Sequence, residues 1–159
     1  MKKFLKRFFI ALLILFVVIQ FFRIDKSVPS HDPSGDFLVM YKTDQKTTDL
    51  LKNACYDCHS YQSSYPWYAE IAPISWRIAN HIEEGREELN FSEWSSYTSG
   101  KQKDKLNECV EEIRNGNMPD PGYVKMHAEA DLNPQDKELL ISYFQSIRDT
   151  VNSDEEQER

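Results

Sequence analysis

The chain has 159 residues, enough for one compact domain and a terminal segment but not for two full domains. Its 19 Lys and Arg and 26 Asp and Glu residues give a formal net charge of −7. This acidic balance argues against nucleic-acid binding, because phosphate contacts need clustered Lys and Arg. Three cysteines are too few for a disulfide scaffold.

Residues 1–24 differ from the rest of the chain. They contain five basic and no acidic residues, which leaves 14 basic and 26 acidic residues for the remainder. As a helix, the apolar run from Phe8 to Phe22 would reach about 22 Å, against a hydrocarbon core of roughly 30 Å. No small-residue cleavage triplet follows it. The pattern predicts an uncleaved transmembrane signal anchor in the inner membrane, with the domain on the extracytoplasmic (periplasmic) side.

Composition also predicts the domain boundaries. Residues 25–45 contain several Pro, Gly, Ser and Asp residues and little apolar periodicity, which predicts a linker. Residues 46–151 carry helical periodicity and form the predicted domain. The charged residues 152–159 predict a frayed, disordered tail.

The periodic segments predict helices, and none alternates as a strand does, so the predicted fold class is all-α. Expected helix starts are Thr43 or Asp44, Pro73, Ser99 and Asn133. The second of these helices is predicted to end near Glu88 and the third at Gly116. Cys109 lies at the edge of the apolar face of the third helix, where a buried packing role is expected.

Cys55-Tyr56-Asp57-Cys58-His59 forms a C-x-x-C-H motif. In such a motif two thiols add to the vinyl groups of haem and the adjacent imidazole ligates the iron. Zinc would need two further ligands, and the other candidates do not form a second pair motif: Cys109, His81, His127 and His31. A thioredoxin-like pair expects a βαβ setting, and a plain disulfide leaves His59 unexplained. We therefore predict one covalent haem c, attached at Cys55 and Cys58 with His59 as the proximal iron ligand.

Met118 is the predicted distal iron ligand. It precedes Pro119 in irregular chain between two helices, where it is not absorbed into a helical core, and a thioether raises the potential of a His-ligated haem. A packing role for Met118 remains open, as do His81, Met126 and His127 as ligands. Without any distal ligand, the iron would be open to peroxide or small gases.

From Cys55 onward the sequence resembles the bacterial haem-binding domain family, small monohaem cytochrome c-like domains often found behind an N-terminal hydrophobic segment. The resembling residues are Cys55-Tyr56-Asp57-Cys58-His59-Ser60, Tyr65-Pro66-Trp67-Tyr68, Ile71-Ala72-Pro73, Ser75-Trp76, Gly85-Arg86, Leu89-Asn90-Phe91-Ser92, Trp94, Met118-Pro119 and Tyr123. The resemblance covers about residues 40–148. It implies covalent haem binding in a mainly helical domain, without fixing a physiological role.

In the light of this resemblance, Arg86 and Trp76 are candidate contacts for the haem propionates. Arg suits bidentate carboxylate recognition, and an indole N–H can donate a hydrogen bond. The alternative for Arg86 is pairing with Glu83 or Glu84 on its own helix. We expect an electron carrier rather than an enzyme, docking a basic-surfaced redox partner at the membrane. An open-site haem protein acting as a peroxidase or as a gas or redox sensor is the alternative.

Overall fold

The computed structural model describes residues 1–157, and all regular structure in that range is helical, which confirms the predicted all-α class. A π-helical turn, Lys52–Tyr56, joins the third and fourth α-helices. In chain order the α-helices are α1 (Lys2–Ile19), α2 (Phe37–Met40), α3 (Gln45–Leu51), α4 (Asp57–His59), α5 (Ile74–Glu88), α6 (Ser99–Asn115), α7 (Pro121–Val124) and α8 (Pro134–Gln157). Short 3-10 turns lie at Pro33–Gly35, Trp67–Glu70, Phe91–Ser96 and Ala128–Ala130.

The packing of α6 against α8 forms the centre of the domain. Their buried apolar residues are Leu106, Val110 and Ile113 on α6 and Leu140, Ile141, Phe144 and Val151 on α8. The spacing of three and four residues places each set on one face of its helix. Full burial of such a side chain contributes about 1.5–3 kcal/mol, so this interface is a main source of stability.

Helix α1 has no buried residue. Its first two turns carry four basic side chains: Lys2, Lys3, Lys6 and Arg7. Among residues 1–157, no helix combines the length with the apolar character that crossing a membrane requires. The transmembrane helix predicted over residues 1–24 is therefore not supported by the structure.

The chain that leaves α1 is bound to the domain. The Gln20 side chain contacts both backbone groups of Ala72, donating to the carbonyl oxygen at 3.1 Å and accepting from the N–H at 3.0 Å. Glu70 pairs with Arg23 at 3.0 Å and also with Lys26. The bidentate amide contact fixes the exit of α1, whereas the exposed ion pairs add little.

The predicted linker over residues 25–45 ends earlier in the structure. Asp36 and Phe37 are buried, and Phe37 is fully enclosed. Its ring centroid lies 4.9 Å from that of Trp94 and 5.1 Å from that of Phe91. Aromatic pairs at this distance are stabilising, so the domain includes these residues and begins before residue 46.

Local capping explains where the helices begin and end. Asp44 and Asn133 accept backbone N–H groups and cap α3 and α8, as predicted. Thr98 caps α6, one residue before the predicted Ser99. Gly116 ends α6 with a φ of 73°, a left-handed conformation that glycine adopts without strain.

The C-terminal end also differs from its prediction. The charged composition of residues 152–159 predicted a disordered tail, whereas α8 continues to Gln157. Extension of a helix already nucleated by packed residues adds one hydrogen bond per residue, which needs no apolar face. Residues 158–159 of the predicted tail lie outside the described range.

Candidate functional site

One helical segment carries the C-x-x-C-H motif. Helix α3, the π-turn and α4 follow one another without a break and form one helical segment. It places Cys55, Cys58 and His59 within two turns. A π-turn of this kind often marks a functional position. All three cysteines of the chain are free thiols. Within residues 1–157, no group of three or more Cys, His, Asp or Glu side chains is arranged to hold a metal ion, so the zinc alternative gains no support.

The His59 ring is oriented by the backbone of α5. Its Nδ1 lies 2.8 Å from the Gly85 carbonyl oxygen and 3.2 Å from the Leu89 carbonyl oxygen. Because carbonyls only accept hydrogen bonds, Nδ1 carries the ring proton and Nε2 keeps its lone pair. Burial lowers the pKa of His59, which favours this neutral form. The ring therefore leaves Nε2 available as a metal ligand. Its other nitrogen, Nδ1, donates to a backbone carbonyl, as the second nitrogen of metal-binding histidines usually does.

A cavity of about 370 Å³ contains the expected iron ligands. Cys55, His59 and Met118 all line it. Half of the remaining lining residues are apolar: Ala54, Leu89, Phe91, Ile113 and Phe144. The others are Cys109, Lys105, Glu88, Glu108 and Glu112. An imidazole and a thioether facing one cavity are a suitable donor set for haem iron.

The rival ligands line a different cavity. A second space of about 360 Å³ is bordered by Cys58, His81, Met126 and His127. Met126 is 64% exposed, and His127 Nε2 lies within hydrogen-bond distance of a tyrosine hydroxyl. Among the four candidates for the sixth ligand, Met118 is therefore the one that shares a cavity with His59.

Gly85 allows the motif to approach α5 closely. A Cβ atom at this position would lie 2.9 Å from the Cys58 carbonyl oxygen and 3.3 Å from the Cys58 Cβ. Glycine inside a helix normally only weakens it. The structure shows a close contact between helices, which brings the Gly85 carbonyl within reach of His59.

The motif thiols are protonated at neutral pH. Burial raises the pKa of Cys55 to about 12 and that of Cys58 to about 11. A neutral thiol is a poor nucleophile for disulfide exchange. Addition of a thiol across a carbon–carbon double bond consumes its proton as well as its sulfur, so the protonated state is compatible with attachment to a vinyl group.

Arg86 and Trp76 lie outside the cavity that contains His59. The Arg86 guanidinium donates to the Ser60 carbonyl at 2.8 Å and to Ser63 Oγ at 3.0 Å, and it holds the loop that follows the motif. The Trp76 indole donates to the Phe22 carbonyl at 2.8 Å and so binds the chain that leaves α1. Both side chains thus have protein partners, and their predicted contact with propionates stays a prediction.

Sequence reasoning missed Lys105, a cation that lines the cavity containing His59. Its ammonium lies 2.6 Å from Glu108 and 3.9 Å from Glu88, and the hydrogen bond to Glu108 is the main cause that raises the pKa of Lys105. A signal was present in the sequence. Lys105 precedes Cys109 by four residues, which places both on one face of α6.

Comparison with known proteins gives one match. The family model described as Haem-binding domain matches residues 14–146, a range that contains both motif cysteines, His59 and Met118. No curated protein and no solved structure matches the chain. The family match covers most of the chain, and the residues in the cavity fit the cofactor that it implies. The protein therefore belongs to the haem-binding domain family.

Proposed function

We propose that this haem-binding domain is a monohaem c-type cytochrome that transfers electrons. The observation that carries the proposal is the cavity shared by Cys55, His59 and Met118. An attachment thiol, an imidazole with a free Nε2 and a thioether face the same cavity. Cys58, which lines the second cavity, would supply the other thiol. When bound, haem supplies a one-electron iron couple.

The residues of the chain would hold and tune the cofactor in distinct ways. Hydrogen bonds to the Gly85 and Leu89 carbonyls keep the His59 ring in one tautomer and orientation. The apolar wall limits the access of water, which controls the reduction potential. Lys105 lines the cavity but is paired with Glu108 at 2.6 Å, so a propionate would have to replace that carboxylate to bind the ammonium.

The proposal includes a location and a partner. Residues 25–159 carry 14 basic against 26 acidic side chains, which would steer a partner with a basic surface. We propose that residues 1–24 attach the domain to the inner membrane on its extracytoplasmic side. The exposed apolar side chains of α1 support this. Recovery of the chain in carbonate-washed membranes is the expected result, and recovery in the soluble fraction would contradict it.

An open distal site is the second candidate, and one observation favours it. Met118 is 40% exposed, so its thioether is not locked in place by packing. If the iron lacks a sixth ligand, the domain would bind gases or react with peroxide. Ready binding of carbon monoxide by the reduced protein, together with a high-spin oxidised spectrum, would support this candidate over electron transfer.

The decisive experiment compares two methionine variants of the exported holoprotein. The wild type is expected to give a c-type pyridine haemochrome, covalently bound haem in the mass spectrum and the weak red charge-transfer band of Met–iron ligation. Met118→Ala should abolish that band and leave the haem attached. Met126→Ala is the matched control, because Met126 lines the other cavity, and it should keep the band. A spectrum unchanged in Met118→Ala would remove Met118 from the site, and colourless wild-type protein would refute the proposal.

A further inference from the structure

A hydrogen bond connects the two sides of the proposed haem site. The Tyr123 hydroxyl donates to Asp57 Oδ2 at 2.7 Å. Asp57 lies between the two motif cysteines, two residues before His59. Tyr123 lies in α7, five residues after Met118. The same hydroxyl lies 3.4 Å from the Asn53 carbonyl oxygen, a longer contact. The Tyr123 hydroxyl therefore joins the helical segment that carries the proximal residue to the Met118 loop, which we define as residues 116–127.

Asp57 is itself held rigidly. Its second carboxylate oxygen, Oδ1, accepts the Ser64 backbone N–H at 2.7 Å, and its carbonyl oxygen accepts the Ser63 hydroxyl at 2.5 Å. Each carboxylate oxygen thus binds a different segment of the chain. A carboxylate fixed in this way is a defined anchor for the tyrosine, and hydrogen bonds to charged groups are stronger than those between neutral groups.

The Met118 loop is also ordered around Tyr123. The Tyr123 backbone N–H donates to Asp120 Oδ1 at 2.8 Å, and its ring stacks on His127 with centroids 4.1 Å apart. His127 Nε2 lies 2.8 Å from the Tyr68 hydroxyl. Burial and the neighbouring Asp57 raise the pKa of Tyr123 well above its ordinary value, so the hydroxyl stays a donor. The tyrosine is thus the point at which the loop is attached to the motif.

We propose that the hydrogen bond between Asp57 and Tyr123 positions the Met118 thioether in the cavity shared with His59, which makes both of them positioning residues. The inference rests on the proposed function. The Met118 backbone N–H donates to the Glu112 carbonyl at 3.2 Å, which holds the start of the loop on α6, whereas the Met118 side chain is 40% exposed. Tyr123 holds the other end of the loop on the motif. Loss of its bond to Asp57 loosens that end, and an added ligand then displaces the thioether more easily.

The test titrates the oxidised, full-length holoprotein with imidazole. Loss of the Met–iron band is the signal that reports binding. Tyr123→Phe removes only the hydroxyl, and we expect imidazole to bind about tenfold more tightly, equivalent to about 1.4 kcal/mol. Tyr143→Phe is the matched control. It removes a partly buried tyrosine hydroxyl that donates to the Tyr41 carbonyl at 2.6 Å in another part of the domain. Its imidazole affinity should equal that of the wild type, even where its thermal stability falls.

The outcomes separate the inference from the proposed function. Wild-type protein without the Met–iron band would overturn both. A band in the wild type, with equal imidazole affinity in Tyr123→Phe and wild type, would overturn this inference alone. If Tyr123→Phe does not accumulate as holoprotein, Asp57→Asn provides the same comparison, because it removes the charge and weakens the bond. Tighter imidazole binding in that variant supports the positioning role, and unchanged binding refutes it.

Discussion

Substitution of Gly85 by alanine tests whether the close approach of α5 sets the geometry of the haem motif. The added Cβ would lie 2.9 Å from the Cys58 carbonyl oxygen and 3.3 Å from the Cys58 carbonyl carbon. These are backbone atoms of the motif and cannot rotate away as a flexible side chain would. The helices must separate, and the Gly85 carbonyl that accepts the His59 Nδ1–H moves with them.

Two effects of known size compete in this variant. Overpacking of a close contact costs about 1–3 kcal/mol, whereas alanine is favoured over glycine in a helix interior by about 1 kcal/mol. Gly85 lies in the last turn of α5, where the gain from alanine is reduced. We therefore expect a net loss of up to about 3 kcal/mol in the free energy of unfolding.

Chemical denaturation of the holoprotein, monitored by its haem absorbance, measures this loss. Gly100→Ala is the matched control, because Gly100 lies in α6 and its added Cβ would meet nothing within 4 Å. That variant should be as stable as the wild type or gain up to about 1 kcal/mol. Equal stability of the Gly85 and Gly100 variants would show that the contact between α5 and the motif is not tight and would refute the reasoning.

Three further predictions follow from the site. Cys109→Ala should leave the haem content per protein unchanged in the pyridine haemochrome assay, since the motif uses Cys55 and Cys58; a fall would contradict that assignment. Before haem attachment, the free energy of unfolding should decrease by about 1.4 kcal/mol per pH unit for each motif thiol between about pH 9 and 11, because the folded thiols keep protons that the unfolded chain has lost. Unfolding monitored by circular dichroism should show a decrease smaller by this amount in the Cys55→Ser/Cys58→Ser variant, where the raised pKa of Cys109 and of the buried tyrosines still contributes; an unchanged decrease would contradict the assignment. Arg86→Lys should cost about 1 kcal/mol through its bonds to Ser60 and Ser63 while the reduction potential stays constant; a shifted potential at constant stability would instead indicate a propionate contact.

The parts of the fold that depend on local sequence could be predicted. Asp44 and Asn133 cap their helices as expected, because a cap involves residues only two or three positions apart. The role of Phe37 could not be predicted. It stands in a short apolar run after a stretch rich in Pro and Ser, and its burial depends on Trp94 and Phe91, more than 50 residues away.

The same distinction applies to the site. Cys55, Cys58 and His59 could be predicted as a haem-attachment motif because that chemistry requires fixed spacing along the chain. The partners of Arg86 and Trp76 could not, since each bonds to a carbonyl that only tertiary packing brings near: Ser60 and Phe22, respectively. A side chain's capacity to bind a carboxylate does not show which acceptor the fold provides.

The two sides of the cavity differ in how firmly they are held. On the proximal side, the His59 Nδ1–H donates to two backbone carbonyls at the C-terminal end of α5, which hold the neutral ring in one orientation. On the distal side, Met118 is partly exposed and depends on the contact of Tyr123 with Asp57. A rigid proximal ligand suits either electron transfer or ligand binding, so it does not distinguish them. The Met118 loop does distinguish them. A thioether bound to the iron favours electron transfer, whereas a displaced thioether leaves the iron open to small molecules.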